Sequence, residues 1–260
     1  MKPKKSPFFS PFAGCFLLAI SSASAQNGTW TVGSAAGNTS WTSTAMWAGG
    51  TIADGVDNTA NFTGVNITGA KAVGLSGVNR SIGNIVFEDL TTASHDLTIS
   101  GVGVALTLDV TSGSPNINVI NRALTISTTV AGNDGLTKSG AGGLILSGAN
   151  TYTGGTTLSG GLSTASHNSA FGTGTVSFSG TATGLGLSNG INVANNITIG
   201  TNTGVAGQGL IRVGDGNTAT LSGTITINNG PGSGGHFGGV SASGTGITNI
   251  TGAINSSVDV

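Results

Sequence analysis

The chain has 260 residues, 47 of them glycine, with only 7% charged residues, 5% aromatic residues and a formal net charge of −1. Eight basic residues against nine acidic ones leave no basic patch, which argues against nucleic acid or an anionic membrane surface as partner. Hydrophobic residues make up 37% and recur in regular pairs, which is not the signature of a disordered chain.

The segment Met1–Ala25 reads as a secretory signal peptide. Lys2, Lys4 and Lys5 form a basic start, Phe12–Ile20 an apolar core, and Ser21–Ala25 an A-x-A ending, so cleavage is expected after Ala25. The apolar core is too short to span a membrane, which needs roughly 20 residues. Ala13-Gly14-Cys15 offers a lipobox-like alternative, but the longest apolar stretch lies after Cys15. With cleavage after Ala25 the mature chain carries no cysteine and a net charge of about −4, so no disulfide holds it.

Residues 26–115 read as an N-terminal capping part. Trp30, Trp41 and Trp47 are all the tryptophans of the chain. They are expected to plug the end of a stacked β-structure, because terminal units of repeat folds need atypical caps. The alternative is a sugar-stacking platform. Ile82–Phe87, Leu97–Ile99 and Val104–Leu108 follow as short strand-like runs.

Residues 116–260 contain the densest motif, Gly135–Leu162, read GLTKSGAGGLILSGANTYTGGTTLSGGL. Leu144, Leu146 and Leu158 fall in period-two runs broken by Gly148, Asn150, Gly154 and Gly155, which predicts short strands joined by tight turns. A glycine inside a strand costs roughly 0.5–1 kcal/mol relative to alanine, so most glycines are expected in turns that need φ > 0. Ile117–Ile126 and Ile191–Ile199 suggest an internal repeat, in which Gly135-Leu136 corresponds to Gly209-Leu210 at the same offset. On that reading a degenerate copy of the motif lies near residues 209–226, without counterparts of Lys138 and Tyr152. Turns of roughly 20–25 residues would give about ten rungs.

The run Gly135-Leu136-Thr-Lys138-x-Gly140-x-Gly142, then Leu144-x-Leu146-x-Gly148-x-Asn150-x-Tyr152-x-Gly154-Gly155-Thr156, resembles the autotransporter-associated β-strand repeat, also called the passenger-associated transport repeat. The resemblance covers about a tenth of the chain. It implies an all-β fold, a right-handed parallel β-helix, with a β-sandwich as the alternative from composition. It also implies a secreted or outer-membrane-associated bacterial surface protein whose repeat assists export and folding, without catalysis. Lys138 is expected to be a solvated turn residue and Tyr152 a packing residue over a rung edge.

Nothing points to a catalytic residue, a metal or a cofactor. A lyase on this fold would need three or more carboxylates converging in one groove, and only Asp54/Asp57 and Glu88/Asp89 are close in sequence. His95, His167 and His236 are isolated. An adhesin or carbohydrate-binding module would instead show an aromatic or Asn/Thr ladder along one face. An ice-binding face would need Thr-x-Thr at a regular rung spacing, whereas Thr-x-Thr occurs at Thr29–Thr31 and Thr224–Thr226 without one. The expected partners are a polysaccharide or a host or cell surface. No barrel or polar cap follows Ile247–Ile254, which predicts self-association at an uncapped β-helix end.

Overall fold

A computed structural model of the protein describes residues 26–33, 37–90, 95–180, 183–200, 210–229, 240–242 and 245–258. The proposed leader with Cys15, and also His236, lie outside the described residues. Among the described residues, regular structure consists of short strands and two single-turn 3₁₀ segments, Thr44–Met46 and Ala48–Gly50.

The strands stack in three parallel sheets. The first follows a path of ten strands that begins with Gly28–Thr29, Gly55–Val65, Arg80–Asp89, Asn116–Val119 and Leu136–Ser139. It continues through Thr156–Leu158, Val176–Phe178, Ile197–Ile199, Ile225–Asn229 and Ile254–Val258. The second sheet has nine strands, from Gly37–Ser40 to Val240–Ala242. The third contains Asn192–Val193, Thr218–Leu221 and Ile247–Ile250. Along each path a strand pairs with its neighbours a turn earlier and a turn later, always in parallel, as at Leu136↔Thr156 and Thr156↔Val176, while Ala105–Leu108 and Thr129–Ala131 form a parallel side branch of the first sheet off Arg80–Asp89. This is a parallel β-helix. The sandwich alternative is set aside, because it requires antiparallel neighbours.

Alternation along each strand turns one set of side chains inward, and parallel register stacks them in columns. One interior column of the first sheet runs Ala60, Ile85, Ile117, Lys138, Leu158, Phe178, Ile199. In the second sheet Lys71, Leu97, Leu124, Leu144, Ser163, Leu185 and Ile211 form another. Most members are fully buried apolar residues, each worth about 1.5–3 kcal/mol of transfer free energy. A strand this short supplies little by itself, but the column joins these pieces into one continuous core.

The tryptophans lie in the interior at the first described turns. Trp30, Trp41 and Trp47 are at most 2% exposed and pack with Phe62 at centroid separations of 5.0–5.7 Å. Their indole N–H groups donate to the carbonyls of Val32, Ala53 and Trp41. With rings buried and donors satisfied, they present no platform for sugar stacking.

The length of a turn varies. Leu136 stacks on Thr156 and Thr156 on Val176 by equal steps along the chain, whereas the steps from Ile85 to Ile117 and from Ile197 to Ile225 are longer. The offset of the internal repeat is not a whole number of turns. Ile117 belongs to the first sheet, whereas Ile191 directly precedes the third-sheet strand Asn192–Val193. Likewise Leu136 starts a first-sheet strand and Leu210 a second-sheet strand.

Candidate functional site

The stretch Gly135–Leu162 makes one full turn and a part of the next. Leu136–Ser139 lies in the first sheet, Gly143–Leu146 in the second, Thr156–Leu158 in the first again, and Gly161–Ala165 in the second again. Leu136, Leu144 and Leu146 are buried in the columns. Thr156 is buried between Leu136 and Val176, and its hydroxyl lies 2.6 Å from the Tyr152 hydroxyl.

Lys138 departs from expectation. It is not a solvated turn residue but is fully buried, in the interior column between Ile117 and Leu158. Its phase explains this: two residues after inward Leu136, it must also point inward. Its Nζ donates to the carbonyls of Ser139 at 2.7 Å, Gly140 at 3.0 Å and Gly160 at 3.0 Å. The ammonium thus ties the corner of its own turn to the corner of the next. Burial pushes the Lys138 pKa down to about 8. Tyr152 is fully enclosed rather than lying over an edge, and burial pushes its phenol up from its ordinary value.

Asn150 links three turns. Its Oδ1 accepts from the Val130 N–H at 2.8 Å and its Nδ2 donates to the Ala170 carbonyl at 2.7 Å, one partner a turn behind and the other a turn ahead. Asn195 does similar work later, donating to the carbonyls of Phe171, Gly172 and Gly174. The motif glycines sit at corners. Gly140 and Gly155 have positive φ, while Gly135, Gly142, Gly148 and Gly154 pass against the backbone of an adjacent turn. At Gly148 a Cβ would collide with the Thr128 carbonyl oxygen.

Outside the helix, the first sheet carries a polar ladder. Thr59, Asn84, Asn116, Thr137, Thr157, Ser177, Thr198, Thr226 and Asn255 occupy successive strands at one outward register. Among the described residues, the hydroxyls of Thr137, Thr157, Ser177, Thr198 and Thr226 have no protein partner. They follow one another at ~4.8 Å, the spacing of adjacent strands. A shallow depression of about 270 Å³ lies beside Thr157 and Ser177. Unequal turn lengths hid this ladder in the sequence: Thr198 and Thr226 are adjacent in space but separated by a longer loop than Thr137 and Thr157.

The acidic side chains mostly serve the backbone. Asp54 pairs with Arg80 at 2.6 Å and accepts from the Ser81 N–H. Asp57 accepts from the N–H and hydroxyl of Thr111. Asp89, buried, accepts from the N–H groups of Ile67 and His95. His95 bonds the Ile67 carbonyl through Nδ1, and His167 Nδ1 accepts from the Ser169 N–H. Among the described residues, no three His, Cys, Asp or Glu side chains are grouped to hold a metal.

These features define a solenoid with one turn built from a recurrent motif. The family described as the passenger-associated-transport-repeat matches residues 136–162. The chain therefore carries an autotransporter passenger-associated repeat on that turn. No curated protein and no solved structure matches the chain.

Proposed function

We propose that this chain is a secreted bacterial surface protein of the β-helical passenger type, structural in role, whose repeat assists export and folding. The observation that supports it is the linkage through Asn150. Its amide is satisfied only when the turns before and after are in place, so each turn completes the one already formed. A chain that emerges from one end then gains stability turn by turn. In an exporting host the secreted chain is expected to begin at Gln26. Asn150→Ala strands a buried N–H and a buried carbonyl, each costing about 1–3 kcal/mol. It should lower the amount of folded, protease-resistant protein outside the cell. Unchanged yield in a pulse-chase assay would count against the role in export.

The polar ladder supports a second reading, in which the same scaffold presents an adhesive face. Unpartnered hydroxyls in a row can exchange hydrogen bonds with the hydroxyls of a polysaccharide. A panel of polysaccharides tested for retention of residues 26–260, with Thr157→Val and Thr198→Val as variants, tests this. Retention that the variants weaken supports it; retention of no polymer defeats it.

A further inference from the structure

From Ser139 to Ile211 the sequence contains no Asp, Glu, Lys or Arg. That segment carries the strands Thr156–Leu158, Val176–Phe178 and Ile197–Ile199 of the first sheet. The outward ladder through Thr137, Thr157, Ser177, Thr198 and Thr226 crosses these strands, so it is uncharged as well as polar. An ionic ligand finds no counter-charge on it. Nor is there a ring to stack on, because Phe178, the aromatic residue of these strands, is buried.

The ladder is one of two rows. Two residues along the strands come Ser139, Ser159 and Ser179, and the N–H groups of Ser159 and Ser179 bond the carbonyls of Lys138 and Leu158 in the turn before. The hydroxyls of this second row are also tied to the preceding turn. Ser139 donates to Asn116 Oδ1 at 2.9 Å, Ser159 to the Lys138 carbonyl at 2.9 Å and Ser179 to the Leu158 carbonyl at 3.4 Å. Each is thereby held in place and keeps lone pairs for an outside donor.

The first row is ordered by a different cause. A β-branched side chain has few χ1 choices on a strand, so Thr137, Thr157, Thr198 and Thr226 repeat hydroxyl and methyl in one orientation. The pairing from Leu136 to Thr226 runs without a register shift, unlike that of Gly55–Val65 with Arg80–Asp89. The oxygens therefore form a grid, ~4.8 Å from turn to turn and ~6.6 Å from row to row. Along the chain the same residues are unevenly spaced, because the turns differ in length; register makes them even in space.

A grid of this kind suits a ligand that is uncharged and itself periodic in two directions. The water lattice of ice has that character, and its prism faces repeat oxygens at two spacings near these. We propose that the outer face of the first sheet, from Thr137 to Thr226, binds ice. The free hydroxyls of the first row donate to and accept from lattice water, the tied hydroxyls of the second row accept, and the methyls between them offer water no competing partner. The proposal goes beyond the polysaccharide reading of the ladder and does not rest on it.

The test is partition of the chain, residues 26–260, into a slowly grown ice front, with the gap between melting and freezing of a seed crystal as a second readout. An inert globular protein of similar mass measures passive trapping. The variants are Thr157→Tyr and Thr198→Tyr, each a bulky side chain on one strand of the grid. Thr125→Tyr, at an outward position of the second sheet, is the control. The parent chain should be enriched in the ice several-fold over the inert protein and open a freezing gap. Thr157→Tyr and Thr198→Tyr should lose both effects, Thr125→Tyr should keep both, and circular dichroism should be unchanged throughout. Exclusion of the parent chain from the ice would overturn the proposal, and so would enrichment that both grid variants retain. Retention by a polysaccharide together with exclusion from ice would overturn it while the adhesive reading stands. Enrichment in ice with retention by no polysaccharide would support it and defeat that reading.

Discussion

At the scale of single residues, phase outranks chemistry. Lys138 looks like a surface residue by type, yet Leu136-x-Lys138 places it in step with the interior, and the interior is where it lies. The alternation was legible in the sequence. The three carbonyls that receive the ammonium were not, because Gly160 belongs to the following turn. The two buried titratable groups of this turn predict an unusual pH profile. The folded pKa of Lys138 is lowered to about 8 from 10.5, so between those values the unfolded chain binds more protons and stability rises with pH. The gain amounts to about 3 kcal/mol at most. Tyr152 acts in the opposite sense. Its folded pKa is raised, so the unfolded chain loses that proton first and stability falls above about pH 10. Denaturant midpoints followed from neutral to strongly alkaline pH should pass through a maximum near pH 10. Lys138→Met should remove the rising limb and Tyr152→Phe the falling one; a flat profile in the parent chain would contradict both assignments.

At the scale of the turn, the glycines have two different reasons to be there. Composition points to positive φ, and Gly140 at φ 79° fits that reason. Gly148 does not: it passes so close to Thr128 of the turn before that no side chain fits. That second reason is invisible along a sequence, because it depends on which turn lies beside which. Gly148→Ala is expected to cost about 2–3 kcal/mol through displacement of the Thr128 carbonyl, read as a lower denaturant midpoint. An unchanged midpoint would mean the corner yields freely. The tryptophans show the same dependence on neighbours. Their clustering in sequence was plain, but only the stacking of Trp30, Trp41 and Trp47 on Phe62 settles that their faces are interior.

At the scale of the whole molecule, short strands alone left a stack and a sandwich both open, and the resemblance of Gly135–Leu162 to the passenger-associated transport repeat is what pointed to the parallel β-helix. The turn lengths were less legible, since every corner is written in the same few residue types and the apparent internal repeat matched corners on different sheets. Two expectations belong here. Removing positions 156–175 deletes one whole step and lets Val176 stack on Leu136 in place of Thr156. That variant should stay folded with a modestly lower melting temperature, whereas removing positions 156–165 turns the columns out of register and should abolish the cooperative β-sheet transition in circular dichroism. Among the described residues, the last strand of each sheet offers an unpaired edge, and Ile247 and Ile254 beside it are more than half exposed. The chain from Gln26 to Val260 should therefore self-associate in light scattering, and Ile254→Lys should shift it towards monomer; a sharp monomer in the parent chain would refute this.

The parallel stacking also determines how the molecule bears load. The hydrogen bonds between turns point along the long axis, and the strand pairing bonds each turn to the ones beside it. Tension applied to the C-terminal end therefore falls on the outermost turn, not on the whole sheet at once. The chain should peel away one turn at a time at a low and nearly constant force, and rewind when the force is released.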